Sequence, residues 1–159
     1  MLKAAYSFFL GILLAVFVGV GIAAFYTQPT VPKYPSELNL INKEPTAEQQ
    51  ALQKEFDAKS EAWDEAMKPY NRNVSIMTLI ASIILVAVSL LFERRIKVLA
   101  DGIMLGGVFT LIYSIGRGFA AQDSKYTFVV ITVGLIIAFV LGYMRFIKPD
   151  HTTQKVKAK

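Results

Sequence analysis

The chain reads as an all-α membrane protein, a four-transmembrane-helix bundle with a helical outer loop between the first two spans. Three observations predict this: four uninterrupted apolar stretches, basic residues sorted to one side of them, and small residues recurring at every fourth position inside them.

The apolar stretches run from Ala4 to Tyr26, Val74 to Phe92, Val98 to Gly116 and Tyr126 to Phe146. A hydrocarbon core of about 30 Å takes about 20 helical residues at about 1.5 Å rise. Inside lipid the backbone must satisfy its own hydrogen bonds, so such stretches cross as helices. The predicted organisation is a first span in residues 1–26, an extracytoplasmic loop in 27–73, spans two to four in 74–146, and a basic cytoplasmic tail in 147–159. The first stretch has features of a signal peptide, with Lys3 ahead of it and Ile22-Ala23-Ala24 as a small-residue site. Its apolar run exceeds the usual signal h-region of about 7–15 residues, so it is read as a retained anchor.

Composition removes several chemistries. The chain is 54% hydrophobic and has no cysteine, which rules out disulfides, thiolate metal sites, iron–sulfur clusters and cysteine nucleophiles. The single histidine, His151, lies in the polar tail, so paired histidine ligands for a metal or haem are impossible. No metal and no cofactor is expected, and the lipid bilayer is the first partner.

Charge sets the orientation. With the N-terminus inside, nine basic residues, among them Lys3, Arg94, Arg95, Lys97 and Arg145, face three acids on one side. The other side holds eight basic residues against nine acids. Positive-inside counting weighs short loops near span ends, and the turn Glu93-Arg94-Arg95-Ile96-Lys97 dominates it. Both termini and that turn are therefore placed in the cytoplasm. The tail lysines are read as held near anionic lipid rather than nucleic acid.

Small residues mark where helices approach. The first span carries Ser7, Gly11, Ala15, Gly19 and Ala23; the third Gly102, Gly106, Thr110, Ser114 and Gly118; the fourth Gly134, Ala138 and Gly142. Positions four apart share a helix face, and a face free of large side chains lets two backbones pack closely in lipid. The second span instead has Ser75, Thr78, Ser82 and Ser89, a polar-small seam. Aromatic residues gather near the expected interfaces, with Phe25, Tyr26, Tyr70, Tyr113, Phe119 and Tyr126 at the outer one.

The outer loop opens with Pro29, Pro32 and Pro35, a spacing that favours an extended polyproline-like segment. Pro45 precedes Thr46, and Gln49 follows Thr46 by three residues, which is a capping box. From Ala47 to Lys68 the residues Leu52, Phe56, Trp63 and Met67 form an apolar stripe, interrupted by Lys59. This predicts an amphipathic helix of about 33 Å over 47–68. Pro69 is expected to kink or break it from the second span. The stripe is the candidate partner surface, packing on the proline-rich segment, a neighbouring subunit or lipid headgroups.

Catalytic patterns are missing. Ser114-Ile115-Gly116-Arg117-Gly118 lacks the Gly-x-Ser-x-Gly order of a nucleophile elbow, and neither a phosphate-binding loop nor a His-Glu-x-x-His pair occurs. Asp101, about one turn inside the third span, has Lys97 four residues earlier and Arg145 expected at the same depth; it is read first as a structural ion pair or an interfacial, snorkelling carboxylate, and in the alternative as an ion or proton site. Arg117 ends the third span outside with Asp123 close by in the short outer loop, and is read as an ion pair or an interfacial, snorkelling charge. At mid-depth only the hydroxyls of Ser82, Thr110 and Thr132 are available.

The topology resembles that of four-span families with a long first outer loop, claudin-like proteins among them. The chain lacks the Gly-Leu-Trp motif and paired cysteines of that loop, so no residue role is carried over. The sequence thus points to a non-enzymatic assembly, accessory or interaction protein, whose partner is itself or another membrane protein. The alternative is an oligomeric small channel or transporter using Asp101.

Overall fold

Helix formation accounts for nearly every position that the computed structural model describes, namely residues 1–36, 46–93 and 95–144. The four helices are α1, Leu2–Phe25; α2, Ala47–Phe92; α3, Lys97–Ala120; and α4, Ser124–Gly142. Each is long and apolar enough to cross a membrane, and the described residues contain no strand. Pro45, Arg94, Arg145 and the tail lie outside the described residues.

The capping box forms as the sequence predicts. The backbone N–H of Gln49 donates to Thr46 Oγ1 at 3.3 Å, and the N–H of Thr46 donates to Gln49 Oε1 at 3.0 Å. From there α2 continues for 46 residues, about 69 Å at the helical rise, with Pro69 inside it. Of the kink or break expected at Pro69, the break does not occur: the amphipathic helix and the second span are one helix. A proline inside a helix deletes one N–H and crowds the carbonyl four residues back, at a cost of about 3 kcal/mol. Contacts on either side hold the helix together against that cost. Trp63 Nε1 donates to the Pro29 carbonyl at 3.1 Å, and Tyr70 stacks on Tyr26 with ring centroids 5.1 Å apart.

The turns are short. Between α2 and α3 the Phe92 carbonyl accepts from the N–H groups of Arg95 and Ile96, both at 3.0 Å. Between α3 and α4, Gln122 adopts a left-handed φ of 55°, and Asp123 Oδ1 accepts from the N–H groups of Lys125 and Tyr126 at 3.1 Å each. The odd-numbered helices therefore run one way and the even-numbered ones the other.

α3 is the centre of the bundle. α1 and α2 lie along it, and α4 packs against its later half. The core between them is made of small and hydroxyl-bearing side chains. Ser75, Thr78, Ser82, Thr110 and Ser114 are almost wholly buried, with Val74 and Val130, while Phe17, Leu91, Phe128 and Phe139 are largely exposed. Lipid solvates large apolar side chains as well as a protein interior does, so membrane helices gain most by meeting through small residues that bring backbones close.

Candidate functional site

The packing residues named from sequence divide into two groups. On α3 all five stripe positions, Gly102, Gly106, Thr110, Ser114 and Gly118, are buried. A Cβ at Gly106 would come within 2.9 Å of the Leu14 Cβ, and one at Gly11 within 2.8 Å of the Leu105 Cβ. One at Gly102 would meet Leu10 at 2.7 Å. This is the α1–α3 crossing. Further along α1 the stripe runs out of neighbours: Ala15 and Gly19 are half-buried, Ala23 is exposed, and a Cβ at Gly19 would meet nothing within 4 Å. On α4, Gly134 is buried against Leu111 and Ile115, whereas Ala138 is exposed and Gly142 faces open space.

The α2 seam packs on α3 through Gly107 and through Ser114, at the later end of the same stripe. Ser75 and Ser114 form a reciprocal pair, each hydroxyl donating to the other's carbonyl at 2.8 Å, with the two oxygens 3.3 Å apart. Ser82 Oγ donates to the Gly107 carbonyl at 2.9 Å, and a Cβ at Gly107 would strike Val86 at 2.8 Å. The three hydroxyls at mid-depth all donate to backbone carbonyls: Ser82 to Gly107, Thr110 to Gly106 and Thr132 to Phe128. Of the three bonds, that of Ser82 joins two helices and the other two lie within one.

The outer part of α2, residues 47–68, is the arm. Its stripe residues Leu52, Phe56, Trp63 and Met67 are half-buried, and Lys59 is exposed. Tyr34 packs edge-on against Phe56 at 5.1 Å and Pro29 accepts the indole hydrogen, so the proline-rich segment 27–36 covers one side of the stripe. The remaining positions of the arm carry Glu48, Glu55, Asp57, Glu61, Asp64 and Glu65 against Lys54, Lys59 and Lys68, all exposed but the half-buried Lys68. Lys59 Nζ bonds Glu55 Oε1 at 2.7 Å. That hydrogen bond, together with the lysine's charge, holds the Glu55 carboxyl below its usual range. A lowered carboxyl stabilises the folded arm at neutral pH, and that help fades as the pH falls through its folded pKa.

Where the arm meets the bundle, Arg117 departs from the ion-pair expectation. It has no ion pair with Asp123, which instead caps α4. Arg117 Nη1 donates to Asn71 Oδ1 at 2.7 Å and its Nε to the Tyr113 hydroxyl at 2.9 Å, with the guanidinium 5.8 Å from the Tyr70 ring centre. Asn71 donates to the Ala120 carbonyl, Asn73 to the Tyr26 hydroxyl, and Tyr126 to the Arg72 carbonyl. The end of α1, the middle of α2, the end of α3 and the start of α4 are thereby tied together. The gathering of aromatics at this end was legible in the sequence; their use in a junction around Arg117, through Asn71 and Asn73, was not, because neutral asparagines leave no charge pattern.

At the opposite end Asp101 lies half-buried in an open groove of about 520 Å³ between the first turns of α1 and α3. Lys3, Ala4, Ser7, Lys97, Val98 and Leu105 line the rest. Lys97 shares the groove with Asp101, as its four-residue spacing predicts. Lys3 and Ser7 come from a helix 90 residues away in sequence, and no local pattern announced them. Ser7 Oγ donates to the Val98 carbonyl at 2.9 Å, fixing the two walls. Among the described residues, no three acidic or histidine side chains are grouped to hold a metal ion.

No family model, curated protein or solved structure matches the chain.

Proposed function

We propose that this is a small multi-pass membrane protein without catalytic activity of its own, which holds a braced outer arm against a membrane partner. The observation that carries the proposal is the continuity of α2: one helix contains both a span and about 33 Å of amphipathic arm, tied at Trp63–Pro29 and Tyr70–Tyr26. A rigid arm transmits position, as an accessory or assembly protein must. Among the described residues its stripe is covered by segment 27–36 on one side, and its exposed charges are mostly acidic, so the matching partner surface is apolar with a basic rim. By the charge sorting, the arm is extracytoplasmic and the N-terminus cytoplasmic.

The channel or transporter reading has less support. Lys3 and Lys97 share the Asp101 groove, and two ammonium groups disfavour a second cation there. The deciding experiment is purification in mild detergent from native membranes, read by mass spectrometry. A stoichiometric membrane partner, or a second copy of this chain, is expected, and Leu52→Glu with Met67→Glu should abolish its retention. A chain recovered alone, with ion flux in liposomes that Asp101→Asn alters, would replace this reading with the other.

A further inference from the structure

We infer that the groove between the first turns of α1 and α3 seats the phosphate of an anionic phospholipid from the leaflet at that end of the bundle. Its position comes first. Lys3 and Ala4 stand in the opening turn of α1, and Lys97 and Val98 in that of α3, where apolar span gives way to polar ends. Headgroup phosphates lie at that level.

Shape and charge agree with a lipid. Ala4, Val98 and Leu105 make the walls apolar, while Lys3 and Lys97 are exposed and supply two ammonium groups. Long lysine stems beside apolar surface place their charges at the headgroup layer. α3 starts in the wall with no acidic residue in its first turn and no side-chain cap, so the positive end of its dipole adds to the lysines' field. The Ser7 bond to the Val98 carbonyl keeps the walls apart at a fixed distance, so the groove is preformed.

One turn beyond Ala4 and one turn beyond Leu105, Phe8 and Phe109 meet edge-on at 5.8 Å, and Phe8 is 53% exposed. A headgroup seated below them would lay an acyl chain across these rings. Free phosphate would make the ammonium contacts without that apolar surface, which is why a lipid is the better occupant. Asp101 has a definite role in the test, because its carboxylate opposes any anion seated beside it.

The experiment is native mass spectrometry of the full chain in detergent with phosphatidylglycerol, phosphatidylcholine or inorganic phosphate added. Wild type should retain phosphatidylglycerol over phosphatidylcholine. Lys3→Gln with Lys97→Gln should cut that preference by about thirtyfold, from the usual contribution of a cation near an anionic surface. The paired Lys→Arg variant should keep it, and Asp101→Asn should raise it several-fold. Since both lysines are exposed, circular dichroism and gel filtration of the variants should match wild type; if the double variant fails to fold, the Asp101→Asn increase decides. Equal retention of the two lipids by wild type, survival of the preference without the lysines, or a fall in it on Asp101→Asn would overturn the inference. Displacement of the lipid by equimolar inorganic phosphate would do so too, by showing that the groove takes the anion alone.

Discussion

Glycines on one face of one helix, such as Gly11 and Gly19, do different work in this chain, and the space around each says which. A Cβ at Gly106 would meet the Leu14 Cβ at 2.9 Å and lie 3.4 Å from the Gly11 carbonyl, so the α1–α3 backbones must part to admit one. Overpacking of this kind costs about 1–3 kcal/mol. Gly106→Leu should therefore lower the unfolding temperature in detergent markedly. At Gly134 the nearest atoms stand at 3.5 Å, an ordinary contact, so Gly134→Ala should shift stability by less than about 0.5 kcal/mol. Gly19→Leu, which meets nothing within 4 Å, should be equally silent in the isolated chain. A Gly106→Leu protein as stable as wild type would refute the close crossing. The small-residue stripes were legible in the sequence, and on α3 the whole stripe is buried. On α1 and α4 only part of it is, because two straight helices that cross part again after about two turns. Spacing along one helix identifies a face; where along that face the partner crosses depends on the other helix.

At the scale of the element, α2 shows why Pro69 does not break the helix. Proline disfavours the helix interior through its missing N–H and its ring, and from residue 69 alone a kink or break is the sound expectation. The helix continues because long-range contacts on both sides fix its course: Trp63 with Pro29, 34 residues away, and Tyr70 with Tyr26. Neither partner is readable from the helix's own pattern. The capping box at Thr46–Gln49 was readable, since it is wholly local. Two substitutions separate the contributions. Trp63→Phe keeps a ring but removes the donor to the Pro29 carbonyl, worth about 1 kcal/mol, and should speed hydrogen exchange in 27–36 while leaving the spans unchanged. Pro69→Ala restores a donor for the Glu65 carbonyl and should slow exchange around residues 65–73. If Pro69→Ala instead loosened the arm, proline would be part of its design and the brace would lie elsewhere.

For the whole molecule, the arrangement makes α3 the indispensable helix and α4 the peripheral one. α1 and α2 reach α3 through close glycine approaches and through buried hydroxyls, whereas α4 adds Thr127 to the Gly118 carbonyl at 3.0 Å, Val130, and Gly134 against Leu111. Beyond Gly134 most of its side chains, Leu135, Ile136, Ala138, Phe139 and Val140 among them, are exposed. Hydrogen bonds between helices in lipid are worth about 0.6–2 kcal/mol each, so the Ser75–Ser114 pair anchors α2 to α3 without help from α4. The absence of cysteine makes this directly measurable. Ser75→Cys with Ser114→Cys replaces two oxygens 3.3 Å apart and should form a disulfide in membranes on mild oxidation. Ser75→Cys with Ile112→Cys should not, since Ile112 is 59% exposed on a different face of α3. The same Ser75–Ser114 cross-link should form as readily in a chain ended after Gln122, which lacks α4 altogether. Loss of the cross-link on that truncation would mean that α4 organises the other three helices, and that α3 is central in position but not in energy.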